Sequence, residues 1–265
     1  MSSDEAAAFY VPEGAGLRAT DLTRGPWDPS SQHAGPPCAL LGRELERAGN
    51  LDPGRLSRAT FEILGPVPIG LLTVEAQVVR PGRSVELVEG TLAHEGRPIV
   101  RARAWRIRTT APMEFDAATP EPASVPGPEE GREVDFFPTG HEVGYHSAME
   151  TRFVYGSFTQ PGPALAWMRM RVPLVLGEEP AALHRVLVAA DSGNGVSSPL
   201  DYRDWRFINA DVSVTLRRPP EGEWVGLEAS TYPEPDGVGM SDTMLRDERG
   251  MLGRSTQSLF VGPQN

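Results

Sequence analysis

Apolar and polar residues alternate at period two over most of residues 205–261. Three runs carry the pattern, at 205–218, 223–232 and 250–261, and breaks rich in Pro and Gly separate them. Alternation of this kind is typical of antiparallel strands with one buried face. A further run at 238–247 lies between the last two, so the pattern predicts consecutive strands of one sheet.

Three polar residues fall inside or at the ends of these predicted strands: Asp211, Thr231 and Gln257. They supply a carboxylate, a hydroxyl and an amide from three different strands. Polar groups at such positions need a structural or chemical reason, so they are the first candidates for a functional site. The alternative is that Asp211 faces solvent, Gln257 satisfies a strand edge and Thr231 is simply a good strand former.

The first half of the chain predicts one helix followed by four strands. Apolar residues recur at helical spacing between Cys38 and Gly49, with prolines before this segment and a glycine at its end. Pro81-Gly82 and Glu95-Gly96 supply tight turns between later strands. The predicted strands lie at 56–64, 72–80, 84–95 and 98–109.

The second half repeats this order. Strands are predicted at 148–158 and 164–173, a helix at 179–193, and the strands described first follow that helix. A helix followed by four strands therefore occurs twice, about 145 residues apart, which indicates an internal structural duplication.

A long antiparallel sheet with one helix has to wrap that helix in its concave face, because no second helix can cover it. Two such units can pair edge to edge, which removes two exposed sheet edges. The pattern therefore predicts an α+β double hotdog: two long antiparallel sheets, each wrapped around one helix, joined into one continuous sheet. Segment 111–140 is rich in Pro, Glu and Gly, as linkers are. We expect an N-terminal hotdog domain at 1–110, this linker, and a C-terminal hotdog domain at 141–265.

Composition removes several functional classes. The net charge of −11 over 265 residues argues against a nucleic-acid partner. All 25 basic residues are Arg, which excludes mechanisms that need a Walker A, kinase or Schiff-base lysine. Cys38 is the single cysteine and is expected to be buried rather than nucleophilic. No run is apolar enough to span a membrane and no signal sequence begins the chain, so a cytoplasmic location is the default expectation.

Two stretches carry a family resemblance: Gln32-His-Ala-Gly-Pro-Pro-Cys-Ala-Leu-Leu at the first helix, and Asn209-Ala-Asp through Arg218-Pro-Pro to Gln257. The chain resembles the TesB-like acyl-CoA thioesterases, also called acyl-CoA thioesterase II, over nearly its full length. It departs from them at Val212, where the family carries His, so the resemblance leaves acyl-chain specificity open.

The resemblance implies hydrolysis of an acyl-CoA, or a related acyl thioester, by an activated water, with neither a metal nor another cofactor. It assigns catalysis to Asp211, Thr231 and Gln257, with Ser230 as an alternative hydroxyl. A carboxylate can act as general base, and a hydroxyl and an amide can hold the water in place. It also implies further association into a homodimer or homotetramer.

The loop before the first helix supplies the expected substrate-binding residues, His33 and Gly35. Free N–H groups at a helix start can stabilise a developing oxyanion, although two prolines reduce their number here. A helix cap or a loop hydrogen bond is the alternative for His33.

Two other functions stay open. A non-catalytic acyl-thioester binding protein would bind acyl-CoA without turnover. A hotdog hydratase or dehydratase would need an Asp/His pair near a helix, and His184 has no obvious acidic partner in the sequence.

Overall fold

A computed structural model describes residues 7–114 and 122–264. The described residues form fourteen strands and four α-helices, together with two short 3-10 helices. The helices are α1 (Gly35–Ala48), α2 (Tyr145–Ala148), α3 (Ala182–Ala190) and α4 (Gly193–Val196). The strands are β1 (Tyr10–Glu13), β2 (Gly16–Ala19), β3 (Gly54–Ile63), β4 (Leu71–Arg80), β5 (Val85–His94), β6 (Arg97–Arg108), β7 (Arg132–Glu133), β8 (Met149–Tyr155), β9 (Ala164–Met170), β10 (Trp205–Asn209), β11 (Asp211–Leu216), β12 (Val225–Pro233), β13 (Val238–Asp247) and β14 (Gly250–Pro263).

All these strands join one antiparallel sheet, in the order β1-β2-β4-β5-β6-β3-β11-β14-β13-β12-β9-β8-β7, with β10 paired to β14. The two halves meet where β3 pairs with β11, and the order on one side of that junction mirrors the order on the other. The predicted double hotdog is therefore confirmed: one continuous sheet carries two repeats of a helix and four long strands.

The two long helices pack against each other in the concave face of the sheet. Leu40, Leu41 and Leu45 on α1 are fully buried, as are Val186 and Val188 on α3. The apolar face that α1 showed in the sequence thus covers the sheet and α3, and burial of this kind stabilises the fold by roughly 25 cal/mol per Å² of apolar surface.

The two repeats correspond residue by residue. In the β5–β6 hairpin the pairing shifts after Leu92–Val100, and in the β13–β14 hairpin it shifts after Leu245–Gly253. Both pairs of equivalent positions are 153 residues apart. The two helices differ in length: α1 has 14 residues and α3 has 9.

Four features differ from the sequence predictions. The hairpin β1–β2 was not predicted, and the run predicted as one strand from residue 205 is divided into β10 and β11 at Ala210. The helix predicted to reach Gly193 ends at Ala190. The described part of segment 111–140 adds β7 to the edge of the C-terminal half of the sheet.

Candidate active site

A cavity of about 920 Å³ opens where α1 begins and α3 ends. His33 and Ala34 line it from the start of α1, and Asp191, Ser192 and Asn194 from the end of α3. The rest of the wall is largely apolar and rich in aromatic side chains, among them Trp27, Phe136, Phe137, Phe158, Tyr202 and Phe207. A concave apolar wall with a few polar groups at one end is typical of a small-molecule site.

Asp191 is the carboxylate at the polar end of this cavity, and its residue is 4% exposed. His33 Nδ1 lies 3.0 Å from its Oδ2, and Asn209 Nδ2 donates to its Oδ1 at 2.8 Å. Gln257 Nε2 donates to the Asp191 backbone carbonyl at 3.0 Å. An ionised carboxylate offers about four acceptor positions, so these bonds leave room for a further donor such as water.

His33 stacks on Tyr145, with ring centroids 3.7 Å apart and planes 5° apart. Burial lowers the pKa of His33, and the nearby Asp191 carboxylate opposes that effect only in part. A neutral His33 that carries its proton on Nδ1 donates to Asp191. The Tyr145 hydroxyl, whose pKa burial raises, donates to the Val188 carbonyl at 2.9 Å and so fixes the ring under His33.

A row of three buried polar residues lies beneath the turn that follows α3. Thr231, Ser241 and Gln257 are direct neighbours across β12, β13 and β14. Thr231 is bonded to Ser197 at 2.8 Å, and Gln257 Oε1 accepts from Asn194 N at 3.0 Å. The Ser241 hydroxyl is buried and has no hydrogen-bond partner within the described residues.

The first repeat lacks this row. At the offset of 153 residues, Val78, Val88 and Ala104 occupy the positions of Thr231, Ser241 and Gln257, respectively. There α1 continues to Ala48, and Leu41 and Leu45 approach Gly90 on β5. In the second repeat α3 ends at Ala190, and Gly193 lies over Ser241, Thr243 and Gln257 instead. The described residues therefore contain one polar row of this kind rather than two.

Of the predicted catalytic residues, Thr231 and Gln257 lie in one row with Ser241 between them, beneath the cavity rather than in its lining, and Asp211 is not part of that row. The side chains of Val212 and Val214 face the core, which places Asp211 on the opposite face of β11 from the one Gln257 occupies on β14. The Asp211 carboxylate instead accepts the Ser258 backbone N–H at 2.8 Å.

That contact has a structural reason. Residues 210–212 lie opposite only two residues of β14, because Asn209 pairs with Leu259 and Ser213 pairs with Thr256. Such a bulge leaves backbone groups without ladder partners, and Asp211 satisfies one of them. The bulge also shifts the alternation, so Asn209 on β10 points to Asp191 although it is three residues from inward-facing Val212.

Asp191 is the residue that the sequence analysis missed. Its position in the sequence could have indicated it. Asp191 is an acid directly after the last turn of a helix, where the helix dipole disfavours a negative charge. A residue that is unfavourable for the helix is a candidate for another role. The alternating strands drew attention instead, because Asp191 lies in no strand.

Of the two predicted substrate-binding residues, His33 lines the cavity and Gly35 is buried next to it without lining it. His33 contacts Asp191, and Gly35 is the first residue of α1. A Cβ at Gly35 would collide with the Val188 carbonyl oxygen, so this glycine allows α1 and α3 to approach closely. Ser230, the alternative hydroxyl, pairs with Asp242 on the sheet face opposite Thr231. Cys38 is buried, and burial raises the pKa of its thiol well above the usual value.

Within the described ranges, no group of three or more His, Cys, Asp or Glu side chains is arranged to hold a metal ion. No helix in those ranges is both long and apolar enough to cross a membrane.

Solved structures share the fold over the full chain. A Thermobifida fusca protein proposed to be a thioesterase II aligns with a TM-score of 0.76 and 21% identity, covering 99% of this chain and 98% of that one. A conserved hotdog protein of Alicyclobacillus acidocaldarius aligns at 0.73 and 16%, covering 100% of both. Acyl-CoA thioesterase II TesB2 of Mycobacterium marinum aligns at 0.64 and 13%, covering 100% and 98%. No curated protein sequence gives a significant match.

Two family models match the chain in succession. The acyl-CoA thioesterase N-terminal domain matches residues 23–107, and the acyl-CoA thioesterase C-terminal domain matches residues 120–261. The second match alone spans more than half of the 265 residues. The chain therefore belongs to the acyl-CoA thioesterase family, enzymes that hydrolyse acyl-CoA thioesters.

Proposed function

We propose that the chain hydrolyses acyl-CoA in the cavity beside Asp191, with Asp191 as the general base. The observation that carries the proposal is the buried Asp191 carboxylate, which lines an apolar cavity and is held by His33 and Asn209, while Gln257 holds its backbone carbonyl. This replaces Asp211, whose carboxylate is engaged with the Ser258 backbone on the other face of the sheet.

In the proposed reaction a water donates to Asp191 and attacks the thioester carbonyl carbon. Its proton passes to Asp191 as the C–O bond forms, and the carbonyl oxygen takes the negative charge. Collapse of this intermediate breaks the C–S bond and releases the CoA thiolate, which takes the proton from Asp191 as it leaves and so restores the base. His33 and Asn209 fix the carboxylate, so that little reorganisation is needed.

The start of α1 is the proposed donor for the carbonyl oxygen. Gly35 N lies 3.1 Å from His33 Nδ1, which is also 3.0 Å from Asp191. That nitrogen cannot accept from Gly35 while it donates to Asp191, and the bond to the charged acceptor is the stronger one. The Gly35 N–H is then available to an oxyanion at the positive end of the helix.

Thr231 and Gln257 support the base from below in this proposal. Gln257 ties the Asp191 carbonyl to the Asn194 amide, and Thr231 holds Ser197, so the two residues fix both ends of the turn that carries Asp191.

The proposed function is tested by measuring the release of free thiol from a series of acyl-CoAs of increasing chain length. Asp191→Asn should slow release by about a hundredfold or more, and unchanged release by this variant would disprove the proposed base.

The His33–Asp191 pair favours one second candidate, hydration of an enoyl-CoA, because that chemistry uses an acid–base pair near the helix. Loss of enoyl absorbance without thiol release would support it. Binding of acyl-CoA without either reaction would point to a binding protein instead. A cytoplasmic location, a role in fatty acid metabolism and a homodimer or homotetramer belong to the same proposal on the strength of the family resemblance.

A further inference from the structure

We propose that Arg206 binds the phosphate at the end of the pantetheine arm of the substrate. The inference rests on the proposed function, since it takes Asp191 as the place of the thioester. Arg206 lies outside the cluster of Asp191, His33 and Asn209, so its proposed role is substrate binding and not catalysis.

The cavity reaches around β10. Phe207 and Asn209 line it from the core face of this strand, and Ile208 lines it from the other face together with Phe260 of β14. Among the residues that the structure describes, strand β10 pairs only with β14, and the opening passes along its other edge. Asn209 contacts Asp191, and Arg206 lies three residues further along, about 10 Å away at strand spacing.

Arg206 lies beside this opening: it does not itself line the cavity, but its neighbours Trp205 and Phe207 do. Within the described residues it forms no ion pair and no hydrogen bond, and its Nε is shielded from solvent without a partner. Its guanidinium lies 5.7 Å from the centre of the Phe260 ring, which is part of the cavity wall. The guanidinium is a planar fork of donors, which suits a phosphate.

Other arginines beside the cavity are already neutralised. Arg171 pairs with Glu133 at 2.9 Å and Arg203 with Asp201 at 2.6 Å. Asp135 adds a further carboxylate to the lining. An entering phosphate therefore meets a rim that is otherwise neutral or acidic on a chain of net charge −11, so the uncompensated charge of Arg206 decides where it binds.

The test uses one acyl group on three carriers: pantetheine, which has no phosphate, phosphopantetheine, which has one, and coenzyme A. Arg206→Ala should raise KM about five- to tenfold for the two phosphorylated carriers, with kcat unchanged, and leave KM for acyl-pantetheine as in the parent. Added salt should weaken the parent's preference for the phosphorylated carriers. Arg254→Ala is the matched control, because Arg254 lies on the outer face of β14 but is paired with Asp242.

An equal KM change for all three carriers, or none, would overturn the inference. A KM increase with acyl-CoA but not with acyl-phosphopantetheine would also overturn it, because the phosphate contacted would then be one found only in coenzyme A. Failure of the proposed function looks different: the parent protein itself would release no thiol from any of the three.

Discussion

His33 Nδ1 and Asp191 Oδ2 lie 3.0 Å apart, and this contact joins a residue two positions before α1 to the residue directly after α3. The two helices run in opposite directions across the concave face, so one start and one end meet at the cavity. The carboxylate is therefore fixed by both repeats. Substitutions at its neighbours should affect catalysis more than they affect the fold.

Asp191→Asn should lower kcat by about 10²–10⁴-fold, because it removes the proposed base while it keeps the side-chain volume. Asp211→Asn should retain kcat, because that carboxylate serves the backbone of the β10–β11 bulge. Steady-state thiol release by the two purified variants makes the comparison. The reverse ranking would restore Asp211 as the base.

His33→Phe should keep the stacking on Tyr145 and lose the donation to Asp191, so we expect kcat to fall about tenfold or more. Since burial lowers the pKa of His33, the parent should keep its kcat as the pH falls through 6.5 and lose it only at more acidic pH. A kcat profile from pH 4 to 8 measures this. An acid limb centred at or above 6.5 would contradict a neutral, donating His33.

Gln257→Met should destabilise the protein by about 1–3 kcal/mol and lower kcat, because the Asp191 carbonyl and the Asn194 amide each lose a buried partner. Ser241→Ala is the matched substitution on the next strand. Its hydroxyl has no partner within the described residues, so the variant should be as stable as the parent or more stable by about 1 kcal/mol. Urea unfolding of both variants provides the measurement.

Destabilisation by Ser241→Ala together with a lower kcat would show that this hydroxyl holds a water that the proposed reaction needs. A stable variant with unchanged kcat would confine the contribution of the buried polar row to Thr231 and Gln257.

His184→Phe should reduce the loss of stability on acidification. Burial, with a smaller effect of Arg43, lowers the pKa of His184 to about 4, below the unfolded value of 6.5. The unfolded chain therefore binds the extra proton first, and stability is lost as the pH falls from 6.5 towards 4, by up to about 3 kcal/mol. The unfolding free energy at pH 7 and pH 4.5 measures this, and an equal loss in parent and variant would contradict the prediction.

The strands of the sheet were predicted well from the sequence, because period-two alternation within a short segment shows which face of that strand is buried in the core. Long strands such as β4 and β13 were predicted to within a residue at each end, since turn formers mark their limits. The division between β10 and β11 was not visible, because a bulge changes which face residues occupy without changing the composition. That one-residue shift is also what separated Asp211 from the site.

The site was predicted in part. Thr231 and Gln257 lie at inward-facing strand positions, as the alternation of apolar and polar residues along their strands predicts. Asp191 and Asn209 could not be assigned, because the first depends on where α3 ends and the second on the bulge. His33 was identified near the site, but its contact with Asp191 needs the packing of two helices that are far apart in sequence.

The two repeats should tolerate amino-acid substitutions differently, because the first repeat has valine and alanine where the second has its buried polar row. A polar row buried under a helix is difficult to stabilise, so the repeat that carries it is constrained by chemistry as well as by packing. The equivalent positions of the other repeat are constrained by packing alone, so Val78, Val88 and Ala104 can be exchanged for other apolar residues of suitable size. Stabilising substitutions should therefore be sought at these positions, which lie away from His33 and Gly35 and do not compete with turnover.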